Sequence, residues 1–313
     1  MPELPEVEVV RAGLDPAVTG ATVLGVTVLD ERALTRYSGS AAQFEAALTG
    51  RVVRSAARRG KFLWMPLQPG PDDAPAADAL VAHLGMSGQL LLRTPGTAAE
   101  RHERVRLDIQ HPEHGEFTVV FADQRTFGSL TLDTLVPTPD AAPGGLGSPD
   151  ATVPSQVAHI ARDPLDPAFR DLEFRTTLAR KKSAIKRVLL DQSVLSGVGN
   201  IYADEALWHS RIHPGTPASA LSTRAVNRLL ADVRGVLERA LAEGGTSFDA
   251  QYVNVNGQAG YFAHSLNAYG RTGEPCPRCG RPIVRVSFMN RSSHYCAHCQ
   301  PFDKRRDRSR PVS

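Results

Sequence analysis

This sequence has few cysteines and no long apolar runs, and these two features argue against a disulfide-stapled protein and against a membrane-spanning one. The four cysteines all lie between residues 276 and 299, so disulfides cannot staple the remainder of the chain. No apolar run approaches the about 20 residues that cross a bilayer, and the acidic opening MPELPEVEVV lacks the apolar stretch of a secretory signal. We therefore expect a cytoplasmic protein without membrane spans, folded under reducing conditions.

A strong net charge is also lacking, since the formal charge is only +3 over 313 residues. With a hydrophobic content of 42%, a chain of this length can form two domains with separate cores. The charge is unevenly distributed, because residues 271–313 contain ten lysines and arginines against three acidic residues. A basic segment of this kind is typical of contact with nucleic acid, and we expect its end, residues 301–313, to be a disordered basic tail.

The first half of the chain has the pattern of a short helix followed by many strands. Val7, Val10 and Leu14 recur at helical spacing after Pro5, and proline is well tolerated in a first helical turn. From Thr22 to Leu132 apolar and polar residues alternate, which predicts a β-sandwich or barrel. The strand-like runs are 22–29, 51–57, 61–65, 80–84, 89–92, 105–109 and 117–121.

Two stretches rich in proline interrupt the strand pattern. Residues 66–78 predict a long hairpin loop, and residues 137–154 predict a linker between two domains. Beyond the linker, helical periodicity covers 172–190, 201–208 and 223–242, and the glycines at 244 and 245 are a plausible stop. The fold class is therefore α+β, with an N-terminal β-sandwich flanked by helices and a helical C-terminal part.

The cysteine spacing carries the strongest chemical signal. Cys276 and Cys279 form one CxxC pair, Cys296 and Cys299 form another, and sixteen residues separate the two pairs. Two such knuckles can arrange four thiolates tetrahedrally around one Zn²⁺. Because four thiolates leave no open coordination position, we predict one structural zinc in a ribbon or finger.

A glycine-rich turn is the second signal. Gly197 and Gly199 separate one predicted helix from the next, which begins near Asn200. Glycines allow close backbone approach, and exposed N–H groups at a helix start attract phosphate. A purely structural helical hairpin explains the spacing equally well, and the nearby Lys181, Lys182, Lys186 and Arg187 favour DNA.

Together these motifs resemble bacterial formamidopyrimidine-DNA glycosylase. The resemblance rests on MPELPEVE, Arg59-Gly60-Lys61, the HLGMSG segment 83–88, the turn over 197–205 and the cysteine ribbon, and it runs from Pro2 to Gln300. It implies a bifunctional DNA glycosylase and AP lyase that removes oxidised purines such as 8-oxoguanine and formamidopyrimidines from double-stranded DNA. It also implies a helix-two-turn-helix domain and a monomer. The resulting domain boundaries are 1–136 (catalytic β-sandwich), 137–154 (linker), 155–270 (helix-two-turn-helix), 271–300 (zinc finger) and 301–313 (tail).

The resemblance also implies the catalytic residues, which are Pro2, Glu3 and Lys61. The amine of Pro2, freed by removal of Met1, forms a Schiff base with the damaged nucleotide, and β,δ-elimination then leaves a one-nucleotide gap. Glu3 donates the proton that opens the sugar ring, and Lys61 binds phosphate next to the lesion. Without the resemblance, Lys61 is an ordinary solvated lysine.

Further roles in DNA binding and in the substrate pocket follow from the same resemblance. Met86, Phe127 and Arg125 match the residues that fill the gap left by the flipped nucleotide and pair with the orphaned cytosine. On spacing alone, Met86 and Phe127 could equally be core residues. The remaining implied DNA ligands are His83, His102, Asn200 and Arg291, and the implied pocket residues are Glu6 and Tyr261.

One departure and two alternatives accompany this interpretation. The family commonly has Asp-Pro-Arg-Arg-Phe-Gly where this chain has DQRTFG over 123–128. Thr126 therefore stands where the family has its second arginine, and this chain has no arginine there to fill that role. The nearest alternative is an endonuclease VIII-like glycosylase for oxidised pyrimidines, whose usual opening Pro-Glu-Gly-Pro-Glu differs from PELPE here. The other is a non-catalytic zinc-finger DNA-binding paralogue, in which a retained Met1 would block the amine.

Overall fold

We describe the fold from a computed structural model, which describes residues 2–70, 76–246, 255 and 260–302. Residues 71–75 of the predicted loop over 66–78 and residues 303–313 of the predicted tail lie outside these ranges. The described residues 66–68 and 78 belong to strands, so the loop is shorter than predicted. The chain divides into two compact units, one formed by residues 1–159 with 243–261 and one by 160–242 with 262–313. Among the described residues, no helix combines the length and apolar character needed to cross a membrane.

The first unit combines helices α1 (Leu4–Val18) and α2 (Ala41–Leu48) with a large antiparallel sheet. Each strand-like run predicted above corresponds to one strand, or to two in the case of 51–57. The strands are β1 (Thr22–Val28), β2 (Val52–Val53), β3 (Ala57–Arg59), β4 (Phe62–Gln68), β5 (Asp78–His83), β6 (Gly88–Arg93), β7 (Glu103–His111), β8 (Gly115–Asp123), β9 (Ser129–Pro137) and β10 (Thr152–Pro154).

The strand order explains how one sheet builds a two-layered core. It runs β10-β9-β5-β4-β2-β1-β7-β8-β6, and β3 pairs with β4 outside this path. Leu80 and Leu130 from one half of the sheet and Leu107 and Phe121 from the other half belong to a single buried cluster. The α1 residues predicted to face the core, Val7, Val10 and Leu14, complete this cluster. Both halves of the sheet thus cover one core, as expected for a sandwich.

Residues 137–154, which we predicted to be a linker, pack against the sheet. Strand β10 pairs with β9, and Leu146 exchanges two backbone hydrogen bonds of 2.9 Å with Arg58. A side chain on Gly145 would collide with the carbonyl oxygen of Arg58. The glycines therefore serve close backbone packing, and the first unit extends to His159.

The second unit is helical and ends in a β-hairpin. Its helices are α3 (Asp171–Arg180), α4 (Ile185–Leu189), α5 (Asn200–Ser210) and α6 (Thr223–Ala242), and its strands are β11 (Val284–Phe288) and β12 (Arg291–Tyr295). The helix predicted over 172–190 is interrupted between α3 and α4. There Ile185 N–H donates to Thr216 O at 2.7 Å and Ala184 pairs with Pro217, so tertiary pairing breaks the helix.

Candidate active site

The start of α1 holds the predicted nucleophile and proton donor in a buried position. Pro2 is buried, and the carboxylates of Glu3 and Glu6 are almost inaccessible. Glu6 Oε2 accepts a hydrogen bond from the Glu3 N–H at 2.7 Å. Glu6 Oε1 accepts from both the N–H and the hydroxyl of Thr246, each at 2.8 Å. Glu6 therefore fixes the backbone beside Pro2 and links it to the segment that follows α6.

A buried ion pair positions the turn that carries Lys61. Arg58 in β3 has no exposed surface, and its Nε donates to Glu8 Oε2 of α1 at 2.9 Å. Its Nη1 donates to the carbonyl of Gly60 at 3.2 Å, and Gly60 adopts a φ of +58°, which favours glycine. The helix that begins beside Pro2 and the turn before Lys61 are thus held by one arginine.

His83 lies beside Lys61 because β4 and β5 place Phe62 opposite His83. Burial, with the nearby charges of Arg36 and Lys61, lowers the pKa of His83 from 6.5 to about 4. The ring is therefore neutral near pH 7. Its Nδ1 accepts from the Gly85 N–H at 3.2 Å, which leaves the hydrogen on Nε2. His83 can thus offer a neutral N–H donor to a phosphate oxygen.

Asp123 ties the HLGMSG loop to the DQRTFG loop. Its Oδ1 accepts from the Ser87 hydroxyl at 2.5 Å and from the Arg125 N–H at 3.1 Å. Its Oδ2 accepts from the Gly128 N–H at 2.7 Å. Gly85 is required here as well, because a side chain at this position would collide with the backbone of Phe127 and Gly128.

These two loops expose the three residues predicted to enter the duplex. Met86 is 38% exposed and Phe127 is 57% exposed, so neither side chain is packed in the core. The Arg125 guanidinium lies 5.1 Å from the centre of the Phe127 ring. The structure therefore favours a surface role over core filling for Met86 and Phe127.

His102 and Tyr261, the other two predicted site residues of this part of the chain, both belong to the first unit. The carbonyl of His102 accepts from the Asp123 N–H at 2.9 Å, which places its backbone next to the DQRTFG loop. Tyr261 is 72% exposed, and its N–H donates to Glu243 O at 2.9 Å. The adjoining segments 247–254 and 256–259 lie outside the described residues.

In the second unit, Asn200 and Arg291 come together at the start of α5. Asn200 is the first residue of this helix, and its Nδ2 donates to Ser292 O at 3.1 Å. Its Oδ1 is buried and has no hydrogen-bond partner among the described residues. Arg291 is exposed on the adjacent hairpin and lines a cleft of about 590 Å³ together with Lys181 and Arg187. The arrangement suits an anionic ligand.

Lys186 has a structural position, contrary to our expectation that it adds to a DNA-binding charge. It is completely buried, and its Nζ lies 2.6 Å from Asp204 Oδ1. Asp204 also accepts from the Ser293 hydroxyl at 3.0 Å and the His294 N–H at 2.8 Å. The pair anchors strand β12 to α5, and Lys182 and Arg187 remain exposed beside it.

The four cysteines form a cage of the size that zinc requires. All four sulfur atoms lie within 4.8 Å of one another, and a Zn–S bond of about 2.3 Å gives an S–S edge of about 3.8 Å in a tetrahedron. Burial and the thiols of Cys279 and Cys296 raise the pKa of Cys299 to about 12, so a cation is needed before all four can ionise. Cys276, Cys279, Cys296 and Cys299 thus form a structural zinc site.

Domain patterns of known proteins match three parts of this chain. Residues 1–130 match the formamidopyrimidine-DNA glycosylase N-terminal domain, and residues 160–251 match the H2TH domain of the same enzymes. Residues 273–301 match the zinc finger found in FPG and IleRS. The chain belongs to the formamidopyrimidine-DNA glycosylase family.

Relatives named formamidopyrimidine-DNA glycosylase are similar over almost their whole length. The protein from Leifsonia xyli subsp. xyli is 64% identical over 300 residues, which cover 96% of this chain and 99% of the relative. The protein from Thermobifida fusca is 55% identical over 305 residues, covering 96% of this chain and 98% of the relative.

Solved structures of a family member from Lactococcus lactis are similar in fold. Its complex with DNA containing an abasic site has a TM-score of 0.75 and 28% identity, covering 95% of this chain and 99% of the neighbour. Its wild-type complex with DNA containing N7-benzyl-Fapy-dG has a TM-score of 0.76 and 28% identity, covering 96% and 100%.

Four residues that organise the candidate site of the present chain were not predicted from its sequence. Glu8, Arg58, Asp123 and Asp204 are charged residues that are buried and hydrogen-bonded. Each of the four lies inside or next to one of the motifs described above. The alternation of apolar and polar residues in β3 and β8 predicts which face of a strand is buried, but it does not indicate that a charged residue is buried there. A charge at an otherwise apolar strand or helix position was the available signal.

Proposed function

We propose that this chain is a bifunctional DNA glycosylase and AP lyase of base excision repair that removes oxidised purines. The observation that carries the proposal is the buried start of α1, where Glu6 holds the Glu3 N–H beside Pro2. The family relationship supports the reaction class. The exposed Met86, Arg125 and Phe127 support a substrate inside a duplex, because a damaged base must leave the stack before it can be attacked.

Pro2 acts as the nucleophile once Met1 is removed. An α-amino group titrates near ~8, so an appreciable fraction is neutral at physiological pH. Its nitrogen bonds to C1′ of the damaged nucleotide as the bond between C1′ and the base breaks. The base leaves with the electron pair of that bond and takes up the proton that the Pro2 nitrogen loses. The secondary amine then forms a cationic iminium, which withdraws electrons and promotes successive elimination of the 3′ and 5′ phosphates.

Glu3 supplies the proton that this reaction requires. As the sugar ring opens, the ring oxygen takes a proton from the Glu3 carboxyl group. Glu3 is buried at the start of α1, and Glu6, which accepts hydrogen bonds from three donors, is the pocket residue that keeps this geometry. Tyr261 contributes an exposed ring to the same pocket.

Phosphate ligands orient the damaged strand on each unit. Lys61 supplies a positive charge and His83 a neutral N–H donor in the first unit, where His102 adds a further contact. In the second unit, the amide of Asn200 and the guanidinium of Arg291 bind the backbone. Phosphate contacts position a duplex without reading its sequence, so lesion recognition is left to the pocket and to the gap-filling residues.

The gap left by the flipped nucleotide is filled by apolar side chains. Met86 and Phe127 wedge between the neighbouring bases, and Arg125 bonds to the orphaned base.

The protein acts as a monomer in the cytoplasm on damaged double-stranded DNA. Size-exclusion chromatography with light scattering tests the monomer, and a mass near that of a dimer would contradict it.

Three duplexes test the activity against its alternatives. We expect an 8-oxoguanine duplex to be cut to a one-nucleotide gap with phosphate on both ends, and a thymine glycol duplex to be cut more slowly. A preference for thymine glycol would support the endonuclease VIII-like alternative. Failure on both, and on an abasic duplex, by protein that mass spectrometry shows to lack Met1 would support the non-catalytic alternative.

A further inference from the structure

The indole of Trp208 is hydrogen-bonded to a sulfur of the zinc site. Its Nε1 lies 3.4 Å from Cys276 Sγ, and Trp208 and Cys276 are 5% and 2% exposed. Both belong to a small buried cluster with Ala268, Ile283 and Cys296. An indole has one donor and no acceptor, and a buried indole N–H usually finds a partner. Here a metal-ligating sulfur satisfies it.

Arg278 lies over the face of the same ring. Its guanidinium carbon lies 4.0 Å from the centre of the Trp208 ring, within the range of a cation–π interaction. Its Nη1 also donates to the Trp208 carbonyl at 3.0 Å. Because Arg278 lies between Cys276 and Cys279 in sequence, the first knuckle contacts Trp208 through a sulfur and through a cation.

We propose that Trp208 is a positioning residue of the zinc site, which slows zinc release and fixes the first knuckle on α5. Four thiolates around one Zn²⁺ carry excess negative charge in a largely apolar cluster. The indole N–H and the Arg278 guanidinium stabilise that charge, as hydrogen-bonding partners of metal ligands commonly do. This inference concerns the metal site and is independent of the proposed glycosylase activity.

The position of Trp208 on α5 links the zinc site to the proposed DNA contacts. Asn200 begins the same helix on which Trp208 lies, and Asp204 between them anchors β12. Helix α5 therefore holds the hairpin through Asp204 and the first knuckle through Trp208. Loss of the indole contact should loosen the first knuckle without touching a DNA ligand.

Zinc transfer from the full-length, zinc-loaded chain to the chromogenic chelator 4-(2-pyridylazo)resorcinol measures the effect. We expect Trp208→Phe, which keeps an aromatic ring and removes the N–H, to release zinc about tenfold faster. The matched control is Trp64→Phe in the first unit. Trp64 is also fully buried, and its indole N–H has no hydrogen-bond partner among the described residues, so its release rate should equal that of the wild type.

Cobalt substitution tests the hydrogen bond itself. Removal of a donor from a thiolate raises the energy of its electrons, so the sulfur-to-cobalt charge-transfer bands of Trp208→Phe should move to longer wavelength. Wild-type bands together with a wild-type release rate would overturn the proposal.

A further measurement covers the case in which Trp208→Phe does not fold. The chain has two tryptophans, so Trp208 is the sole tryptophan emitter in Trp64→Phe. Its emission should change when zinc is returned to the chelator-treated protein, and an unchanged emission would also overturn the proposal.

Discussion

Burial gives His83 a chemistry that differs from that of an exposed histidine. Its neutral ring uses Nδ1 as an acceptor for the Gly85 N–H, which leaves the hydrogen on Nε2 as a donor. A neutral donor beside the charge of Lys61 avoids repulsion between two cations. The same burial makes His83 a source of acid sensitivity, because an unfolded chain releases it to its ordinary pKa.

His83 should therefore make the free energy of unfolding depend on pH. Burial, Arg36 and Lys61 lower the folded pKa to about 4 from 6.5, so between these values the unfolded state binds a proton that the folded state does not. Stability contributed by neutral His83 is fully present above pH 6.5 and is lost as the pH falls towards 4.

Urea unfolding at several pH values between 4.5 and 7.5 measures this loss. We expect the unfolding free energy of His83→Gln to fall less steeply with decreasing pH than that of the wild type. The control His264→Gln, at an exposed position, should show the same pH dependence as the wild type. Equal slopes for His83→Gln and the wild type would mean that the pKa of His83 is the same in the folded and the unfolded chain.

Arg125 should read the base opposite the lesion. Cytosine offers acceptors on its pairing edge to a guanidinium, whereas adenine places an amino donor there. Because a good pair of such hydrogen bonds discriminates by ~1–3 kcal/mol, excision should favour 8-oxoguanine opposite cytosine over adenine by roughly ten- to a hundredfold.

Single-turnover rates on the two duplexes measure this preference. Arg125→Ala should reduce the preference more than the rate, and Arg224→Ala, at an exposed position on α6, should keep the wild-type ratio. A full preference in Arg125→Ala would assign the discrimination to another residue.

At the scale of single elements, periodicity predicted most strands and helices, and one missed helix had a signal of its own. Helix α2 begins after Ser40, whose hydroxyl accepts from the Gln43 N–H at 3.3 Å, and Gln43 Oε1 accepts from the Ser40 N–H at 2.8 Å. A serine followed three residues later by glutamine is the capping-box pattern. Helix α2 has only eight residues, of which Phe44 and Leu48 are buried, and this short length hid it from a search based on periodicity alone.

The segment over 137–154 could not be predicted from composition. Its prolines and glycines are typical of a linker, whereas Gly144, Gly145 and Gly147 are needed because the sheet backbone approaches them closely. Such packing depends on residues that are distant in sequence, namely Ala56 and Arg58. Spacing and composition likewise did not assign Pro2, Lys61 and His83 to one site. Only the family resemblance did so.

The zinc hairpin should fold only with its metal. Cys296 is completely buried in the cage, and the hairpin it supports carries Arg291 and the Ser292 carbonyl that orients Asn200. Cys296→Ser should release the zinc, measured by elemental analysis, and reduce DNA affinity by at least tenfold. The control Ser287→Ala, at an exposed position on β11, should retain the zinc and the wild-type DNA affinity. Wild-type DNA affinity in Cys296→Ser would contradict the role of the hairpin in DNA binding.

At the scale of the whole molecule, DNA affinity is a sum of charged and neutral phosphate contacts. Each neutralised phosphate contributes about −0.9 to the slope of log affinity against log salt concentration. Arg291→Ala should therefore weaken binding and make the slope shallower by about 0.9. Asn200→Ala should weaken binding with an unchanged slope, because the amide is neutral.

Fluorescence anisotropy between 50 and 200 mM salt distinguishes these two effects. The two variants are matched, since both residues lie at the junction of α5 and β12. Identical slopes for the wild type and Arg291→Ala would show that Arg291 does not bind a phosphate.

The proposed mechanism depends on a covalent bond between Pro2 and the damaged nucleotide, and borohydride trapping tests this bond most directly. Borohydride reduces an iminium to a stable amine, so incubation of the full-length chain with an 8-oxoguanine duplex should yield a covalent protein–DNA adduct. Peptide mapping by mass spectrometry should then locate the adduct on the N-terminal peptide at Pro2. An adduct on Lys61, or none from protein that releases the base, would contradict the account.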